Sequence, residues 1–147
     1  MKRAMDLVRE AEAVIQTVTP FDALVSQEAG EAILVDIRDV RELAREGKVP
    51  GAVHAPRGML EFWVDPDSPY HRDVFAQSDK TYIFFCAAAW RSALATRDLQ
   101  AMGLSPVAHI KGGFSAWKEQ GLPVDAPPAK EAAQTPTAKP TDDDTSS

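Results

Sequence analysis

The residue that stands out chemically is Cys86, in the run Tyr82-Ile83-Phe84-Phe85-Cys86-Ala87-Ala88-Ala89-Trp90-Arg91-Ser92. Four apolar residues read as a buried strand, the cysteine follows at once, and a helical pattern begins within a few residues. A thiol placed there meets the unpaired N–H groups and positive dipole end of the helix, and both favour a thiolate. A free thiol titrates near ~8.5 and falls to roughly 3.5–7.5 in such surroundings. Arg91 adds a positive charge five positions on. The competing expectation is an inert, buried cysteine that packs as a small hydrophobe.

The rest of the chain narrows the chemistry. Cys86 is the single cysteine, so an internal disulfide, a C-x-x-C relay and a Cys-rich zinc site are excluded. His54, His71 and His109 lack metal-ligand spacing, so neither a metal nor another cofactor is expected and each reads as a packed or surface histidine. A net charge of -6 argues against non-specific nucleic-acid binding and against an anionic membrane surface. No stretch approaches the roughly 18 apolar residues of a membrane span. The start, MKRAMDLVREAEAVIQ, breaks a signal-peptide pattern with Asp6, Arg9, Glu10 and Glu12, so a cytoplasmic location is the expectation.

The elements that must position Cys86 follow from periodicity and punctuation. The 147 residues suffice for one domain. Met5, Val8, Ala11, Ile15 and Val18 recur at helical steps, predicting an amphipathic N-terminal helix over residues 1–17. Thr19-Pro20 caps and starts a second helix ending near Gly30. Ala32 to Ile37 reads as a buried strand, Asp39 to Glu46 as a short helix, and Ala52 to His54 as a brief strand. Pro56 to Phe75 is irregular or short-helical. Thr81 to Phe85 is the clearest strand, Trp90 to Met102 a helix stopped by Gly103, Val107 to Ile110 a strand, and Phe114 to Gln120 a last helix. Strands alternating with helices predict a parallel sheet covered on both faces, with the loops after Ile37, His54, Phe85 and Ile110 gathered at its carboxyl edge. From Asp125 to Ser147 the composition turns acidic and proline-rich with no aromatic residue, which predicts a disordered tail.

Four segments resemble the rhodanese-like domain family over roughly residues 18–124. They are Asp36-Ile37-Arg38 (D-x-R); Gly47-Lys48-Val49-Pro50-Gly51-Ala52-Val53-His54 (G-x-I-P-G-A-x-H); Cys86 to Arg91 (C-x-x-x-x-R) followed by Ser92; and Gly112 to Val124 (G-G-x-x-x-W-x-x-x-G-x-P-V). The resemblance implies a three-layer α/β fold whose five-stranded parallel sheet has the order 3-2-4-5-1. It implies that Cys86 is a nucleophile taking sulfane sulfur from a small donor, thiosulfate or a persulfide. A thiophilic acceptor (cyanide, a small thiol or a protein thiol) then removes it. The N–H groups from Ala87, Ala88, Ala89, Trp90 and Arg91 would cradle the sulfur. Asp36 and Arg38 are expected to brace the strand-end loops, with His54 beside them and Trp117 in packing. Alanines at 87–89 depart from the basic loops of members that use thiosulfate well. Arg38, Arg57, Arg72 or Lys111 would compensate only by converging there, and Trp90, Phe62 and Trp63 are candidates for an apolar lip. Two rival readings remain: a non-catalytic binding or regulatory module, and a cysteine-dependent phosphatase of the related cell-division-cycle type. The loop of that phosphatase holds one more residue between Cys and Arg.

Overall fold

A computed structural model of the chain describes residues 1–127. They fall into two compact units. The first comprises residues 1–38 and 51–122, and the second comprises residues 39–50 with the described residues after 122.

The first unit is an α/β sandwich built on a five-stranded, all-parallel sheet. Its strands are β1 (Gln16–Val18), β2 (Ala32–Asp36), β3 (Val53–His54), β4 (Thr81–Phe85) and β5 (Val107–Ile110), in the order β1-β5-β4-β2-β3. That is the order 3-2-4-5-1 read from the other edge. β4 is central, pairing Asp36 with Phe85 on one side and Phe84 with His109 on the other. Its residues Tyr82 to Phe85 are buried, as a strand covered on both faces requires.

The connections place the helices. A right-handed crossover from β1 to β2 runs one way across the sheet, and that from β4 to β5 runs the other, so their helices cover opposite faces. Accordingly α2 (Pro20–Glu28) packs on β2 and beside α6 (Gly113–Glu119), while α5 (Trp90–Met102) packs on β4 and β5. The α5 face also receives α1 (Ala4–Glu12), through Val8 and Ala11 against Ala93, and α4 (Leu60–Val64). Its core joins Val35, Ile37, Leu60, Phe75, Phe84, Leu99 and Cys86 itself.

Capping follows the sequence. Thr19 Oγ1 accepts the Asp22 N–H at 3.1 Å, with Pro20 opening α2, and Gly103 in the left-handed region (φ +108°) closes α5. In the second unit, helix α3 (Val40–Glu46) is capped by the Asp39 carboxylate, and Glu42 reaches back to the Asp39 N–H at 3.1 Å.

Two expectations are corrected. The helix predicted over residues 1–17 stops at Glu12, and Gln16–Val18 forms edge strand β1, paired to Ala108, His109 and Ile110. The apolar spacing of Ile15 and Val18 fits a helix locally. Pairing with β5 gives residues 16–18 backbone partners that a continued helix would deny β5. Asp125, the first residue of the expected tail, is instead paired: it and Lys48 exchange two backbone hydrogen bonds, of 2.8 and 3.1 Å. The remainder of that tail, from residue 128, lies outside the described residues.

Candidate active site

Cys86 stands directly after the central strand, at the carboxyl edge of the sheet, and only 1% of its surface is exposed. Its Sγ accepts the backbone N–H of Ser92, in the first turn of α5, at 3.4 Å. α5 has 13 residues, so the positive end of a full helix dipole faces the sulfur. Ala87 is half-buried, Ala88 and Trp90 are exposed, and Ala89 is buried. Arg91 is half-buried at the second position of α5.

Two features hold the loop in shape. The carbonyls of Cys86 and Ala87 are taken up by the N–H groups of Phe114 (2.8 Å) and Ser115 (3.0 Å) at the start of α6. With these carbonyls turned toward α6, the loop cannot aim them at the sulfur, where they would repel an anion. This close approach needs a glycine. At Gly113 (φ +61°) an added Cβ would collide with the Cys86 carbonyl oxygen and lie 2.8 Å from that of Ala87. The second feature is Ala89, the one non-glycine residue among those described with a positive φ (+77°). That left-handed conformation costs an alanine about 1–2 kcal/mol. It turns the chain from the loop into α5.

The neighbouring strand ends are braced by charge. Asp36 and Arg38 are each 1% exposed. Arg38 donates from Nε and Nη2 to the Asp36 carboxylate at 3.0 and 2.8 Å, and its guanidinium lies 4.1 Å over the Phe114 ring. His54 Nε2 donates to the Arg38 carbonyl at 2.7 Å. Trp117, at 1% exposure, is core.

Three of the four basic residues weighed as compensation for the alanine loop are engaged elsewhere. Arg38 holds Asp36, Arg57 lies 3.5 Å from Asp98, and Arg72 stacks 4.0 Å over Trp63. Lys111 is exposed at the end of β5. Of the expected apolar lip, Trp90 and Phe62 are exposed, whereas Trp63 packs against the core beneath Arg72. A cavity of about 480 Å³ lined by Val64, His71, Phe75, Met102 and Leu104 lies at the far end of α5. That is about 20 Å of helix away from the cysteine loop, so it is no part of this site.

Sequence reasoning missed one polar chain beneath the loop. Ser92 Oγ is 3.0 Å from His109 Nδ1, and His109 Nε2 is 3.1 Å from Thr17 Oγ1. Ser92 and His109 are fully buried. Burial lowers the pKa of the His109 imidazole and favours its neutral form. Residues 17, 92 and 109 carry no shared local pattern, so only the pairing of β1, β5 and β4 reveals the chain.

The sequence profile of the rhodanese-like domain matches residues 19–120. The chain belongs to the rhodanese-like family. A sulfurtransferase of Allochromatium vinosum is 32% identical over 97 residues, covering 66% of this chain and 81% of that protein. The chloroplastic thiosulfate sulfurtransferase 16 of Arabidopsis thaliana is 37% identical over 98 residues, covering 63% and 78%. Among solved structures, a Rhodopseudomonas palustris protein of unknown function, described as a possible tyrosine phosphatase, is 46% identical with a TM-score of 0.81. That match covers 85% of this chain and 96% of that one. The rhodanese-like assignment and these relatives support a role of the sulfurtransferase type. Among the described residues no helix is long and apolar enough to cross a membrane.

Proposed function

We propose that this rhodanese-like domain is a sulfurtransferase that carries sulfane sulfur on Cys86. The observation that carries the reading is the loop itself. Its sulfur sits at the end of the central strand, takes the Ser92 N–H, and faces the start of α5, while the Cys86 and Ala87 carbonyls are turned onto α6.

In the first half-reaction the Cys86 thiolate attacks the outer sulfur of the donor. A new S–S bond forms, the donor's own bond to that sulfur breaks, and the remainder leaves with the electron pair, as sulfite from thiosulfate or a thiolate from a persulfide. In the second, cyanide or a thiolate attacks the outer sulfur of the Cys86 persulfide, and the Cys86 thiolate departs. No external oxidant or reductant enters. N–H groups from Ala87 to Arg91 cradle the outer sulfur, and Asp36 and Arg38 keep the adjoining strand ends in place.

The same loop narrows the donor. Ala87, Ala88 and Ala89 bring no charge, and Arg38, Arg57 and Arg72 are held by other groups. The side-chain charge that remains is that of Arg91 in the loop and of Lys111 at the end of neighbouring β5, less than a basic loop offers a small dianion, so a persulfide of low charge flanked by Trp90 is the favoured donor class. The acceptor is another molecule, because Cys86 is the chain's single cysteine. The domain acts in the cytoplasm on this reading.

A phosphatase reading draws on the Rhodopseudomonas relative's description. The loop speaks against it, since Arg91 follows Cys86 by five positions and four residues lie between them, one fewer than the phosphatase loop holds. Oxyanion cradles must fit to about an ångström. A turnover assay separates the readings. With a small persulfide or thiosulfate as donor and cyanide as acceptor, thiocyanate forms with the parent and not with Cys86→Ser. Hydrolysis of a phosphate ester without thiocyanate would establish the phosphatase. Neither activity would leave a binding module.

A further inference from the structure

Fully buried between the sheet and α5, His109 bridges two hydroxyls. A neutral imidazole has one donor and one acceptor nitrogen, and here the hydroxyls of Ser92 and Thr17 serve both, at 3.0 and 3.1 Å. Ser92 is the residue whose backbone N–H meets the Cys86 sulfur at 3.4 Å. One residue thus carries two ties: its N–H points to Sγ and its side chain is anchored through His109 to β1. Thr17 lies on the edge strand, so the anchor is built into the sheet rather than into the loop.

We propose that His109 is a positioning residue for the cysteine loop, fixing Ser92 so that its N–H is aimed at the Cys86 sulfur. The inference rests on the sulfur-carrier reading only for its consequence in turnover. The geometry itself concerns the reactivity of Sγ. An N–H held on the sulfur stabilises the negative charge that returns to Sγ as the leaving group of the second half-reaction. Without the tether, the first turn of α5 keeps its helical bonds but gains freedom to rotate its N–H off the sulfur.

The link from Ser92 runs through Nδ1, and this gives the test its resolution. An asparagine at 109 places a polar atom where Nδ1 stands, and a glutamine places one nearer Nε2. Ser92→Ala removes the hydroxyl while leaving the N–H in place, with almost no change of volume.

The experiment measures the rate of Cys86 alkylation by iodoacetamide at pH 7 on the full chain, with circular dichroism and a thermal melt on each variant. Ser92→Ala and His109→Phe are expected to slow alkylation about 3- to 10-fold, the worth of one ordinary hydrogen bond. The double variant is expected to be no slower than either single one, since both cut the same tether. His109→Asn is expected to restore the parent rate and His109→Gln is not. If His109→Phe fails to fold, Ser92→Ala and His109→Asn decide alone. Unchanged or faster alkylation in folded Ser92→Ala, additive losses in the double variant, or equal rates for Asn and Gln would each overturn the proposal. Alkylation needs no sulfur donor, so a parent protein that forms no persulfide yet shows this pattern would refute the transferase reading and leave the positioning role standing.

Discussion

Replacing Gly113 by alanine tests whether the cysteine loop is shaped by its contact with α6. The new Cβ would collide with the Cys86 carbonyl oxygen and stand 2.8 Å from the Ala87 carbonyl oxygen. Both obstacles are backbone, so no side-chain rotation relieves them. The two carbonyls are also the acceptors for Phe114 and Ser115. Separating the pairs by a few tenths of an ångström weakens two hydrogen bonds of about 1 kcal/mol each. A φ of +61° adds about 1–2 kcal/mol for a residue bearing a Cβ. The sum is about 3–4 kcal/mol, or a fall in Tm of about 10 °C for a domain of this size. The displaced loop also carries Sγ, so sulfur transfer should fall at least about tenfold even in the fraction that remains folded. Gly121→Ala is the control. Its φ is +71° but nothing stands within 4 Å of the added Cβ, so it bears the conformational cost alone and leaves the transfer rate unchanged. Thermal melts and thiocyanate formation on both variants decide the matter. A Gly113→Ala protein with the melting point and rate of the Gly121→Ala control would refute the claim that α6 shapes the loop.

Other expectations follow from the same geometry. Ala89→Gly removes the cost of a left-handed alanine at φ +77°, partly offset by greater freedom of the unfolded chain; stability should rise by about 0.5–1 kcal/mol, read as a Tm about 2–4 °C higher, and a lower Tm would contradict that backbone geometry. Asp36→Ala leaves the Arg38 guanidinium buried without its carboxylate and should cost about 3–5 kcal/mol in denaturant unfolding, whereas replacing both residues with apolar ones should cost much less. His109 prefers its neutral form when folded, so the unfolded chain binds the extra proton first; its contribution to stability is fully present above about 6.5 and is lost as pH falls below that. The Tm difference between the parent and His109→Asn should therefore shrink from pH 7.5 to pH 5, and a constant difference would show that His109 does not titrate in this way. Tyr82 is shifted the other way, upward, chiefly by burial, and its hydroxyl donates to the Val74 carbonyl at 2.6 Å. Its stabilising share should hold below about pH 10 and decline above it, a decline absent from Tyr82→Phe.

Local signals made the central part of the fold legible. Thr81 to Phe85 bears four buried apolar residues in five, and the helix after it is ended by Gly103, so both elements lie where periodicity and punctuation put them. The Thr19-Pro20 start and the Asp39 cap are likewise local chemistry. β1 was hidden because three residues at a sheet edge carry too little pattern of their own, and Ile15 and Val18 continued the helical spacing. Its existence depends on β5, some 90 residues away. The pairing of Lys48 with Asp125 is also long-range, which is why composition at Asp125 did not show it. At the site, Cys86 and its loop could be read from strand, cysteine and helix in succession. The turned carbonyls, the left-handed Ala89 and the chain from Ser92 through His109 to Thr17 could not, because each depends on segments brought together by the sheet. The basic residues illustrate the same limit. Their identities were plain, but their engagement with Asp36, Asp98 and Trp63 is a property of the fold.

The central claim is that Cys86 carries transferable sulfur. Intact mass spectrometry of the reduced protein after brief exposure to a small persulfide, followed by desalting and addition of cyanide, tests it most directly. One sulfur atom gained by the parent, absent from Cys86→Ser and lost again on cyanide addition, is the predicted result. A parent mass that never changes, or an adduct that also forms on Cys86→Ser, would contradict it.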